Sequence, residues 1–160
     1  MNAKQIADLF VEQNVLQPSQ ADDVLQEANL NGKNIEQALV DSGFIDERRF
    51  YQVIANALGT DFVDLSENEI APEILRLIPA GLARLHQALP IAAHGNTLTV
   101  ALLDPLDLRA AEDLRFALGK DVQVVVASTE QVEDRIKRYY GTDSSSMEDI
   151  LKQLGETGEL

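Results

Sequence analysis

The 160-residue chain contains no cysteine and no tryptophan, and aromatic residues make up only 5% of it. Without cysteine, neither disulfides nor thiolate chemistry are available. With so few aromatics, the core has to be built mainly from Leu, Ile, Val and Ala. The two histidines, His86 and His94, lack the spacing of paired metal ligands, so no metal site is expected. Gly32-Lys33 and Gly119-Lys120 have no upstream glycine at the required distance, which excludes a Walker phosphate loop. No apolar run reaches the ~18 residues that span a bilayer. The opening Met1-Asn-Ala-Lys-Gln5 does not have the layout of a signal peptide. A soluble cytoplasmic protein is the resulting expectation.

Positive charge is also scarce. There are 13 Lys and Arg against 27 Asp and Glu, a formal net charge of -14. Residues 1–60 carry 4 basic and 9 acidic groups, residues 61–140 carry 8 and 13, and residues 141–160 carry 1 and 5. No block is basic overall, which argues against a general binder of nucleic acid or of anionic membrane while leaving room for a local basic patch. The remainder of the composition, 45% hydrophobic and 25% charged, is ordinary for a globular protein of one domain or two small ones.

A repeat occupies the first sixty residues. "LFVEQNVLQPSQADDVLQEA" (Leu9 to Ala28) aligns with "ALVDSGFIDERRFYQVIANA" (Ala38 to Ala57) at an offset of 29. Phe10, Val11, Val15, Leu16, Val24, Leu25 and Ala28 fall opposite Leu39, Val40, Phe44, Ile45, Val53, Ile54 and Ala57. Each copy reads as two helices joined by a turn at Asn14 or Gly43, residues suited to the left-handed conformation that closes a helix. Ser19 and Asp46 stand where an N-cap is needed. One helix pair cannot bury both its apolar faces, so residues 1–60 are expected to form a four-helix bundle of two repeated hairpins.

The pattern changes between 61 and 141, where an α+β unit with a three- or four-stranded sheet is expected. Phe62 to Leu65 reads as extended. Pro72 and Pro79 mark first turns of helices. "ALPIAAHGNTLTVALLD" reads as two strands joined at His94-Gly95-Asn96, and Val122 to Ser128 as a third, rich in β-branched residues. A last helix runs from Ser128 or Thr129 to a stop at Gly141. Within "VALLDPLDL", Asp104 reads as an N-cap, Pro105 as the first helical residue and Asp107 as a first-turn carboxylate facing the helix dipole. Leu106, Ala110, Leu114, Ala117 and Leu118 follow at helical spacing. Two carboxylates without a basic, nucleophilic or metal partner define no reaction, so no catalytic residue is assigned. Residues 142–160 read as a Ser-rich linker, with Ser146 to Leu154 a candidate short amphipathic helix.

From Leu77 to Gly141 the series "IP…LA…ALPI…TLTVALLDPLDL…DLRF…VQVVVAS…RYYG" resembles the N-terminal domain of type II secretion and type IV pilus assembly ATPases. The preceding helical pairs resemble the bundle ahead of that domain, and the match covers about residues 4 to 141. The resemblance implies a non-catalytic regulatory and docking portion of such an ATPase. Its partners would be the cytoplasmic part of an inner-membrane assembly component and a motor domain downstream. It would have no cofactor and would sit at the inner face of the membrane.

As an alternative, the resemblance implies cyclic di-GMP bound by the duplicated helical motif, whose pattern begins Arg-Leu-Gly, passes two apolar residues and a Gly, and ends in Gln. Here Gln5, Phe10 and Asn14 take the first-copy positions, and Asn34, Leu39 and Gly43 take the second. Neither arginine is present, Glu36 falls where a Gly belongs, and Ala28 and Ala57 replace the Gln. Charge for a phosphate is therefore missing at both arginine positions.

Overall fold

The computed structural model describes residues 2–67 and 69–141. The proposed helix at 146–154 lies outside them. Among the described residues there are eight helices and one three-stranded sheet, an α+β arrangement.

The first four helices follow from the repeat. α1 (Ala3–Glu12) starts at Asn2, whose side chain accepts the Gln5 N–H at 2.8 Å while Gln5 Oε1 accepts the Asn2 N–H. Asn14 then takes φ 59, closing the helix as its side chain permits. α2 (Pro18–Asn31) starts one residue before the expected Ser19 cap. Gln17 is the N-cap and Pro18 the first helical residue, because proline's fixed φ and missing N–H suit that position. α3 (Ile35–Asp41) is capped by Asn34, which accepts the Gln37 N–H at 2.7 Å. α4 (Glu47–Leu58) is capped by Asp46 as expected, with the Arg49 N–H at 2.7 Å. Phe10, Leu39, Phe50, Tyr51 and Ile54 form the centre of the bundle, and the Phe10 and Phe50 rings lie 5.3 Å apart. Phe44 departs from its repeat partner and remains exposed.

α5 (Pro72–Leu75) and α6 (Ala80–His86) lead into β1 (Ala88–His94) and β2 (Thr97–Leu102), an antiparallel hairpin whose turn places Gly95 at φ 59. β1 carries Pro90 and a bulge near Ile91, both of which discourage pairing at its outer edge. α7 (Leu108–Leu118) crosses to β3 (Asp121–Val125), which runs parallel to β2. α8 (Thr129–Tyr140) follows and ends at Gly141, φ 71. The Phe62 segment is extended but contributes a single parallel bridge to Val126 rather than a fourth strand. Alternation along β2 separates two cores. Leu98, Val100 and Leu102 pack with Ala110 and Leu114 of α7, and Ala101 packs with Val132 and Ile136 of α8.

α7 begins later than expected. Asp107 is its N-cap, accepting the Ala110 N–H at 3.2 Å. Asp104 instead closes the preceding turn, accepting the Leu106 N–H at 3.0 Å, and Pro105 is buried in that turn. Ala117, expected on the apolar face, is exposed.

Candidate functional site

Of the six motif residues, Asn34 borders a cleft at the edge of the bundle. Phe10 and Leu39 are completely enclosed in the bundle core and present no surface to a ligand. Gln5 is exposed and engaged in the α1 capping box. Asn14 and Gly43 are exposed at the left-handed ends of α1 and α3.

The cleft beside Asn34, about 450 Å³, lies where the bundle meets the sheet unit. Ile6, Ile35 and Phe50 form its apolar wall, and Glu36, Asp104, Glu130 and Glu133 bring four carboxyl groups to it. Two of its lining residues are joined through Tyr51, whose hydroxyl donates to Glu36 Oε2 at 2.6 Å and accepts the Thr129 N–H at 3.1 Å. Burial raises the Glu36 carboxyl above the ordinary Glu range; the Tyr51 bond opposes this, and Glu47 and Glu130 reinforce it. Burial and the bond to Glu36 push Tyr51 up to about 12, so its hydroxyl stays protonated. The titratable side chains that line this cleft are all acidic.

A second groove, about 580 Å³, is different in character. It is lined by Ala3, Lys4, Leu25, Ala28, Asn29, Gly32 and Lys33. Lys4 and Lys33 are themselves related by the 29-residue offset, each one position before the place of a missing arginine. The sequence reading overlooked them, although the same offset would have found them. Lys33 is not an open charge: its Nζ donates to Asp41 Oδ2 at 2.7 Å and lies 3.7 Å from Glu27. The bond to Asp41 raises Lys33 and holds Asp41 below the usual carboxylate range.

No group of His, Asp and Glu able to hold a metal ion occurs among the described residues. His86 ends α6 and His94 ends β1. Asp104 and Asp107 both hold backbone N–H groups. No helix among the described residues is long and apolar enough to cross a membrane.

The chain belongs to the MshEN domain family, whose model matches residues 58–146. It is 31% identical over 155 residues to the type IV pilus assembly ATPase PilB of Myxococcus xanthus, covering 97% of this chain and 27% of that protein. It is 28% identical over 115 residues to type II secretion system protein E of Xanthomonas campestris, covering 69% of this chain and 20% of that protein. The chain thus spans about a quarter or less of these curated relatives. Among solved structures, it is similar to MshE solved with cdg, with TM-score 0.67, 31% identity, and coverage of 84% of this chain and 98% of that one. It shares its fold with the N-terminal domain of XpsE, with TM-score 0.58, 22% identity, and coverage of 88% and 98%. The chain is homologous to the N-terminal region of these ATPases and is not their catalytic domain.

Proposed function

We propose that this chain is the regulatory and protein-docking portion of a type II secretion or type IV pilus assembly ATPase, tethering the motor to the cytoplasmic part of an inner-membrane assembly component. The observation that carries this reading is that 97% of the chain aligns with a pilus assembly ATPase of which it spans only 27%. The sequence has no phosphate loop, so its contribution to such a motor is made by binding. Within the proposal, residues 1–60 and 61–141 are the docking units and 142–160 the linker toward the motor. In this reading the chain sits at the inner face of the inner membrane through its partner. Tethering raises the effective concentration of motor subunits near the assembly platform. A pull-down with the partner's cytoplasmic part as bait tests it. The chain is expected to be retained, and absence of binding by residues 1–141 would overturn the reading.

A second reading, cyclic di-GMP binding, is favoured by the similarity to MshE solved with cdg and by the Lys4–Lys33 groove. Glu27 and Asp41 weigh against it, because they already compensate Lys33. Calorimetry with cyclic di-GMP separates the two. The docking reading expects no heat of binding. Micromolar binding that is lost in a Lys4→Ala, Lys33→Ala double variant would establish the second.

A further inference from the structure

We propose that the Tyr51 hydroxyl couples the second helical hairpin to the first turn of α8, so that a disturbance of α3 or α4 is passed to α8 and toward Gly141, whereas among the described residues no side chain of the first hairpin bonds to that turn. The inference goes beyond docking and holds whether or not a partner is bound.

A helix needs acceptors for the N–H groups of its first turn, and a neighbouring Ser usually supplies one. Ser128 is the N-cap of α8, yet its side chain makes no cap bond; its hydroxyl donates to Glu47 Oε1 at 3.3 Å. The Thr129 N–H is instead accepted by Tyr51 Oη, 78 residues away in the chain. The same oxygen donates its hydrogen to Glu36 at 2.6 Å, so one buried hydroxyl joins α3, α4 and α8.

The Tyr51 ring extends the grip. It stacks on Phe62 with centroids 6.2 Å apart and planes 16° apart. Phe62 forms the bridge to Val126, and the Val63 N–H donates to the Val126 carbonyl at 2.8 Å. The corner from β3 into α8 is therefore held at both ends, at Val126 by the backbone of the Phe62 segment on which the Tyr51 ring stacks, and at Thr129 by the Tyr51 hydroxyl. Arg48 of α4 closes the same side, its guanidinium 5.4 Å from the Phe62 ring centroid and 3.6 Å from Asp64. In the first hairpin, the bonds of Asn2, Gln5, Gln17 and Gln20 are local caps, and Glu27 bonds to Ser42 of the bundle.

The test is amide hydrogen exchange of the full 160-residue chain in wild type, Tyr51→Phe and Glu36→Gln. Tyr51→Phe removes both bonds and keeps the ring. It is expected to speed exchange of the Thr129 amide and its neighbours about tenfold, with a smaller gain in α3 and none in α1 and α2. Glu36→Gln keeps an acceptor for the hydroxyl and should leave Thr129 near wild type. Coupling is reciprocal, so Val132→Ala in α8 should speed exchange in α3 and α4 more than in α1 and α2. An unchanged Thr129 amide in Tyr51→Phe, or uniformly faster exchange everywhere, would overturn the proposal. If Tyr51→Phe fails to fold, Val132→Ala decides alone: equal effects on both hairpins refute the coupling.

Discussion

At the scale of single residues, Asp104 and Asp107 show how the surroundings of a carboxyl group decide what it does. Each accepts a backbone N–H, and together they turn the chain from β2 into α7. Asp107→Ala is expected to cost about 1 kcal/mol in thermal or denaturant unfolding, and Asp107→Asn much less, because Asn keeps the capping oxygen. The structural role of both aspartates was legible from the sequence, but which of them is the cap was not: an Asx turn and an N-cap have the same sequence appearance, and the packing of Pro105 decides between them. Glu36 carries a pH prediction. Its folded pKa lies above the ordinary value, so the folded chain holds this proton more tightly than the unfolded chain. The contribution is fully stabilising below the ordinary Glu value and is lost as pH rises through the raised folded pKa. Glu36→Gln should therefore raise the thermal midpoint at neutral pH, with the gain shrinking toward ~pH 4. A lower midpoint at neutral pH would show that the charged bond to Tyr51 outweighs burial.

Among elements, the repeat in α1 to α4 was readable because its apolar residues recur at one fixed offset, and packing requires that recurrence in any such bundle. The β1–β2 hairpin was readable from Gly95-Asn96, and β3 from its β-branched run. Ser128 as the cap residue of α8 was readable, but the group that accepts the Thr129 N–H was not. Ser128 and Thr129 look sufficient locally, and only the folded chain brings Tyr51 to them. The Phe62 segment was likewise ambiguous, since one bridge and a full strand share the same short apolar pattern. The motif residues of the bundle posed the same difficulty. Phe10 and Leu39 satisfy a binding pattern and a packing pattern equally, and in the structure both are enclosed by the core. α7 offers a direct contrast between its two faces. Leu114 is completely buried and Phe116 is 92% exposed. Leu114→Ala is expected to destabilise by ~2–5 kcal/mol, and Phe116→Ser to stay within ~0.5 kcal/mol. Chemical denaturation of the two variants checks both values.

For the whole molecule, the composition is strongly acidic and the family is the MshEN domain. The net charge of -14 keeps it from polyanions and favours partners with basic surfaces. Binding to such a partner should weaken as salt rises, because exposed charges are screened within a Debye length of ~10 Å at 0.1 M. The central claim is that the chain acts by being bound. Its most direct test is a calorimetric titration of the purified chain with the cytoplasmic part of the proposed inner-membrane partner. A saturable one-to-one complex in the micromolar range or tighter is the expected result. No heat and no complex, with both proteins shown to be folded, would contradict the claim.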